Sequence, residues 1–431
     1  MNKTLMAAVA LFAFGAGISD ASAFKYSVLH NFCSVKNCGD GVQAIAAPIS
    51  DSAGNFYGTT SAGGSSNTGT VYRLSPNGKK WTYTTLYTFC SLKNCTDGAA
   101  PKAGLIIDTK GNLYGITNGG GKQNGGAVFE LSQSGGTWTN KVIYSFCSKA
   151  NCTDGNIPTL GKLAYQGQLS GAPYDGTSPL YGVTNTGGAN NQGALISLTP
   201  NKGSWTEAVV YAFCAKANCT DGAVPFGSPI VDDSGNVFGT AVGGGANAHG
   251  AVYEAQRAGK GWNYVVLYSF CTDKNTCTDG ASPIAGLFQD GAGNLYGTTA
   301  FGGANVASGS GGGTVFKIIP NGAHSKHIKL HDFCAETNCT DGTFPEGSVT
   351  MDAKGHLIGV TANGGDMNMG TLYSLSGPKL STFTRVFFFG DTTTPGAIPI
   401  DPPAIDTKGS MFGTTVAGGT QTDGVVYKFT P

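Results

Sequence analysis

Short runs in which apolar and polar residues alternate recur along the whole chain, separated by Gly, Asn and Asp. The second unit shows the pattern in full. Ala103-Gly104-Leu105-Ile106-Ile107 leads into the turn Asp108-Thr109-Lys110-Gly111-Asn112, and then into Leu113-Tyr114-Gly115-Ile116-Thr117. A Gly-rich loop follows, then Gly126–Leu131, and Trp138–Phe146 completes the unit. Period-two alternation with β-branched and aromatic enrichment predicts strands, and no window carries helical periodicity.

A Tyr-Gly-Thr-Thr-like tetrad begins at Tyr57, Tyr114, Tyr181, Phe238, Tyr296, Ile358 and Phe412, so the unit repeats every 54 to 67 residues. Four antiparallel strands per unit and seven units predict an all-β, seven-bladed β-propeller forming one domain over residues 24–431. Phe24–Phe32 matches a fourth strand, whereas the sequence ends after a third, Gly424–Phe429. The N-terminal strand is therefore expected to complete the last blade and remove the open sheet edges.

Phe56-Tyr57-Gly58-Thr59-Thr60, Gly63-Gly64 and Gly69-Thr70-Val71-Tyr72, with their six later copies, resemble the GloVer tandem repeat of secreted bacterial proteins. The resemblance covers the chain beyond its first residues and implies a propeller and export, often with a separate surface anchor. It carries over no catalytic residues. The C-terminal residues Lys428-Phe429-Thr430-Pro431 depart from the anchored pattern, because no hydrophobic tail is present.

Composition narrows the function classes. Basic and acidic residues balance at 26 each, and charged residues make up only 12% of the 431. A disordered chain and a nucleic-acid binder are both disfavoured by that balance and by the absence of a basic cluster. Residues 1–23 read as a secretory signal. Lys3 leads an apolar stretch to Ile18, and Ala21-Ser22-Ala23 is the cleavage pattern. No later run is long and apolar enough to span a membrane. A secreted or periplasmic monomer is expected.

Twelve cysteines form six close pairs, Cys33/Cys38, Cys90/Cys95, Cys147/Cys152, Cys214/Cys219, Cys271/Cys277 and Cys334/Cys339. An even count in an exported chain points to six local disulfides. Zinc is the alternative, but no His recurs beside the pairs. The seventh unit has Phe389-Gly390-Asp391 instead. In an antiparallel meander, the disulfide-bearing crossovers and the Gly-Gly loops between second and third strands share one face. That loop face also carries a repeated acid, at Asp40, Asp97, Asp154, Asp221, Asp279 and Asp341, with Asp391 a looser seventh. These acids are expected to cap their own turns; the alternative is a ring for Ca2+ or sugar hydroxyls. Otherwise no cofactor and no metal site is expected. On the opposite face, Asp51, Asp108, Asp232 and Asp290 open tight turns.

Function is sought where the repeat symmetry breaks. Phe226, His249, Phe301, Phe344 and Asp366 are the candidate ligand contacts on the loop face, with Met367 and Met369 nearby in sequence. Glu336, Glu346 and Asp366 are the candidate acid and base should the face cleave glycans. The insertion Gly167–Pro179 is placed in a turn on the other face, outside this site. His30 and His331 replace a fourth-strand Tyr, while His324 and His327 flank a hairpin. No nucleophile elbow, metalloprotease motif or phosphate loop is present. The resulting expectation is a disulfide-stiffened binding module for a polysaccharide or a surface protein. A glycan-cleaving hydrolase or lyase and a purely structural surface protein are the alternatives.

Overall fold

The computed structural model describes residues 24–158, 160–304, 311–390 and 395–431. Residues 1–23, on which the expected signal falls, Asp391 and the middle of the Gly302–Gly313 loop lie outside the described residues. Seven antiparallel sheets of four or five strands form the blades of a β-propeller, as the repeats predict, and Gly396–Ala397 pairs separately with Ala417–Gly418. In the first blade the strands run outward from the axis as Ile49–Ser50, Phe56–Thr60, Thr70–Asn77 and Lys80–Thr88. The seventh blade is assembled from both ends of the chain. Lys25–Asn31 is its outermost strand and pairs with Val425–Thr430, placing Lys25 opposite Thr430. Met411–Thr415 and Ala404–Ile405 complete it.

The innermost strands are shorter than the sequence suggests. Of the run 103–107, only Ile106–Ile107 pairs within its own sheet. The reason is a link to the preceding blade: Thr59 of the tetrad donates its hydroxyl to the Ala103 carbonyl at 2.9 Å. Thr240, Thr298 and Thr414 make the same bond to Ala285, Gly347 and Ala46. The tetrad glycine also has a steric reason. A Cβ on Gly58, Gly239 or Gly413 would collide with the third-strand Tyr72, Tyr253 or Tyr427 ring lying over it.

The all-β architecture is accompanied by short helical turns in the crossovers. Single 3-10 turns stand in five crossovers, at Lys36–Cys38, Lys93–Cys95, Ala150–Cys152, Ala217–Cys219 and Thr337–Cys339. Each is three residues long, too short to leave a period in the sequence. The Asn before each closing cysteine takes a left-handed φ of 56 to 59°, a conformation that Asn tolerates better than most residues.

Apolar side chains bury between blades rather than at the centre. Tyr57, Val71 and Phe89 of the first blade pack with Leu105, Leu113 and Phe129 of the second. Burial drives the blades together, yet the axis stays open. Outermost strands carry a bulge opposite the third strand, between Val71 and Tyr72 in the first blade and at the matching place in the others. Such bulges add local twist. Among the described residues no helix is long and apolar enough to cross a membrane.

The third blade departs from the pattern. Its insertion reaches both neighbours: Tyr174 pairs with Ile107 and Thr109 of the second blade, and the Gln166 amide donates to the Asp233 carbonyl of the fourth. Tyr174 is fully buried at this junction. The insertion is therefore a strap beneath the axis, held at both ends.

Candidate functional site

The crossovers on the loop face are built by one repeated device. All six expected disulfides are formed: Cys33–Cys38, Cys90–Cys95, Cys147–Cys152, Cys214–Cys219, Cys271–Cys277 and Cys334–Cys339. Such bonds mark a chain matured in an oxidising compartment, and they leave no thiolate for zinc. The closing cysteine does a second job that its spacing does not announce. The carbonyls of Cys152, Cys219 and Cys339 accept the amides of Gly188, Gly245 and Gly365 at 3.0, 2.9 and 3.0 Å. Each disulfide loop is thereby tied to the Gly-Gly loop of its neighbouring blade.

The repeated acid lies beneath each disulfide loop. Asp97 accepts the Tyr87 hydroxyl at 2.7 Å and the amides of Ser91 and Leu92 at 2.9 and 3.2 Å. Burial alone would raise its pKa, but these donors outweigh burial and hold it below the usual carboxylate range. Asp40, Asp154, Asp221 and Asp341 are likewise at most 2% exposed. Those carboxylates face the chain's own donors. His30 does take the fourth-strand Tyr place, with Nε2 2.9 Å from Asp40. Its burial depresses the imidazole pKa, and Asp40 offsets part of that.

Around the axial mouth stands a ring of seven residues that begin the inner segments: Gln43, Ala100, Ile157, Val224, Ser282, Phe344 and Ile398. All seven have φ between 51 and 58°. For Ile, Val and Phe this left-handed conformation is strained. Each amide is fixed by the previous blade's loop: Phe344 N–H donates to Gly312 and Ile398 N–H to Met369, at 3.1 and 2.9 Å. The interlock holds the strained backbone and presents these side chains at the mouth.

Behind the mouth is a cavity of about 470 Å3 running along the axis. Its walls are largely Ala, Gly, Ile and Pro, with three charged side chains: Lys162, Glu346 and Asp401. Asp401 stands where the other six inner segments carry Ala46, Ala103, Gly161, Gly227, Ala285 and Gly347. Its carboxylate accepts the Ala47 amide at 3.1 Å. Burial raises its pKa, with the Ala47 amide, the Lys162 ammonium and the Ser348 hydroxyl pulling the other way. Burial also raises Glu346.

The structure distributes the sequence-derived candidates unevenly. Phe301 and Phe344 are brought together edge to face, 4.8 Å between ring centres. Phe226 is half-buried in the inner segment of the fourth blade. His249 is exposed and its ring nears the Cys271–Cys277 sulfurs, which are already bonded to each other. The three carboxylates occupy separate settings: Glu346 lines the axial cavity, Glu336 accepts the Thr340 hydroxyl within its crossover, and Asp366 is ion-paired with Arg385 at 2.9 Å. His327 lies beside the hairpin turn, within the outermost strand Lys326–Asp332 and opposite Ile318, stacked on Tyr268. The insertion does not stay clear of the axis either, because Gln168 and Leu169 line the same cavity as Glu346. Lys162 and Asp401 were missed by sequence reasoning. The signal was present as two charged residues at positions where the aligned inner segments carry small residues or Pro.

Several solved structures align with the chain at low identity. A 6-phosphogluconolactonase candidate from Bacteroides uniformis aligns with TM-score 0.46 and 12% identity, over 90% of this chain and 99% of that one. A glucose dehydrogenase candidate from Thermus thermophilus aligns with TM-score 0.43 and 12% identity, over 94% and 100%. Similarity at this level carries no inference about activity. No curated protein matches the chain. The Gloeobacter/Verrucomicrobia repeat matches residues 18–213 and 174–427, so nearly the whole sequence is accounted for and the chain belongs to this repeat family.

Proposed function

We propose that the protein is an exported binding module whose loop face holds a partner protein at the cell envelope or outside the cell. One observation carries the reading. Among the described residues eight large apolar side chains are exposed, and five of them, Val35, Leu92, Ile157, Met367 and Met369, belong to loop-face segments. Exposed apolar side chains gathered on one face are a mark of protein interaction, and Met adapts well to such contacts. The disulfides and buried aspartates keep these loops preorganised, which lowers the ordering cost of binding. A polysaccharide ligand would call for exposed rings and free carboxylates, whereas Phe301 and Phe344 pack on each other and Asp366 is paired.

The test is site-specific photo-crosslinking in the native host, with the probe at Met367 on the loop face or at Lys110 on the turn face. The expected result is one discrete protein adduct from position 367, none from 110, and loss of that adduct in a Val35→Ser, Met369→Ser double variant probed at 367. Equal labelling from both faces refutes the assignment. Retention of the purified protein on a polysaccharide panel, without released chain ends and without a protein adduct, replaces the partner class with glycan. New chain ends would make the protein an enzyme.

A further inference from the structure

The axial cavity asks for a different ligand from the loop face. Its volume of about 470 Å3 falls within the range of small-molecule pockets. Gln168 and Leu169 of the strap line the cavity toward its turn side, and the strap is fastened to both neighbouring blades. Toward the loop face the lining is Ile45, Leu160, Ile284, Glu346 and Ile400.

The charge arrangement is polar in the literal sense. Lys162 belongs to the third blade and Asp401 to the seventh, so they stand on opposite sides of a seven-blade ring. Asp401 senses the Lys162 charge, yet among the described residues no ion pair within 4.0 Å includes either. The Lys162 amide donates to the Ser228 hydroxyl at 2.9 Å, which fixes where its side chain starts. Glu346 and Asp401 share a wall, because Gly347 packs directly on the Ile400–Asp401 backbone. One wall thus offers an ammonium, the facing wall two carboxyls, and the space between is lined by apolar groups.

We propose that this cavity binds a small zwitterion, an amino acid or dipeptide. The ligand carboxylate would meet Lys162 and its ammonium would meet Asp401 and Glu346, with its side chain against the isoleucines. Charge-assisted bonds at both ends are the strong kind, and a ligand of opposite polarity sets a counter-charge against each charged wall of an otherwise apolar cavity. The loop-face partner is not needed for this reading.

Leucyl-leucine, its N-acetyl form and its C-terminal amide are the probes, titrated calorimetrically into the intact disulfide-bonded protein. The dipeptide is expected to bind saturably, and each blocked form at least about tenfold more weakly. Lys162→Met should weaken the dipeptide about tenfold and abolish discrimination against the amide only. Asp401→Asn should abolish discrimination against the N-acetyl form only. Lys162 is exposed, so its variant should fold, and unchanged urea midpoints verify this for both. No saturable dipeptide binding at millimolar concentration overturns the proposal. So does equal affinity for the blocked forms, or a Lys162→Met variant that binds like the parent. Failure of position 367 to give any protein adduct in the parent, with dipeptide binding intact, would sink the partner reading alone.

Discussion

Replacing His327 by Phe should remove most of one pH dependence from the stability of this propeller. The imidazole is stacked on Tyr268 at 4.4 Å and edges onto Phe270 at 5.9 Å. Its Nε2 is buried without a hydrogen-bond partner. Burial pushes the pKa from 6.5 down to about 4, with Lys329 adding to that and Asp279 opposing it. The unfolded chain therefore takes up a proton as pH falls through 6.5, while the folded chain resists until about 4. Stability from this group is complete above 6.5 and is lost as pH falls toward 4. The loss amounts to about 3 kcal/mol. Phe383 fills the matching place in the sixth blade, stacked at 4.0 Å on His331, so Phe at 327 keeps the packing. Urea unfolding of parent and variant between about pH 7 and pH 4 isolates the effect, since every other titrating group is common to both. The difference in unfolding free energy should shift by about 3 kcal/mol in favour of the variant across that range. Parallel pH curves would refute the argument that burial keeps this imidazole neutral.

Two further predictions concern the crossovers. Asp97→Ala strands the Ser91 and Leu92 amides and the Tyr87 hydroxyl, and the urea midpoint should fall by the equivalent of about 3 kcal/mol. Replacing Cys90 and Cys95 together by Ser opens a loop with a sequence separation of 5. Closure of so short a loop is worth only about 2 kcal/mol, so the double variant should still fold and show a modestly lower midpoint.

The propeller and its closure were legible because they follow from local rules repeated seven times. Alternation marks each strand, and the unpaired fourth strand at Phe24–Phe32 has a single place to go. The disulfides were equally legible, each being closed within one short segment. What the spacing of Cys152, Cys219 and Cys339 could not convey is the use made of their carbonyls, since a backbone acceptor has no letter of its own in a sequence. The inner segments were read poorly. Their residues satisfy their carbonyls across blades, as Ala103 does with Thr59, and an alternation pattern does not report which sheet a carbonyl serves. Lys162 and Asp401 become legible only when the inner segments are aligned blade by blade, because the symmetry also breaks inside the ring, at positions where the other blades carry small residues or Pro. The scattered fates of Glu336, Glu346 and Asp366 show that three carboxylates in neighbouring stretches of one blade need not share a cleft. One enters the axis, one closes a crossover, and one binds an outer-strand arginine.

The pairing of Lys25 with Thr430 sets the direction in which the molecule can be held. The outermost strand starts, and the third strand finishes, at the end of the blade where third and fourth strands meet. Both described ends of the chain thus emerge side by side on the turn side. A tether joined to either end hangs from that side and points the opposite surface outward, toward whatever approaches. Tension between the two ends would open the antiparallel pair one hydrogen bond at a time, like a zip, so the seventh blade would yield first under load.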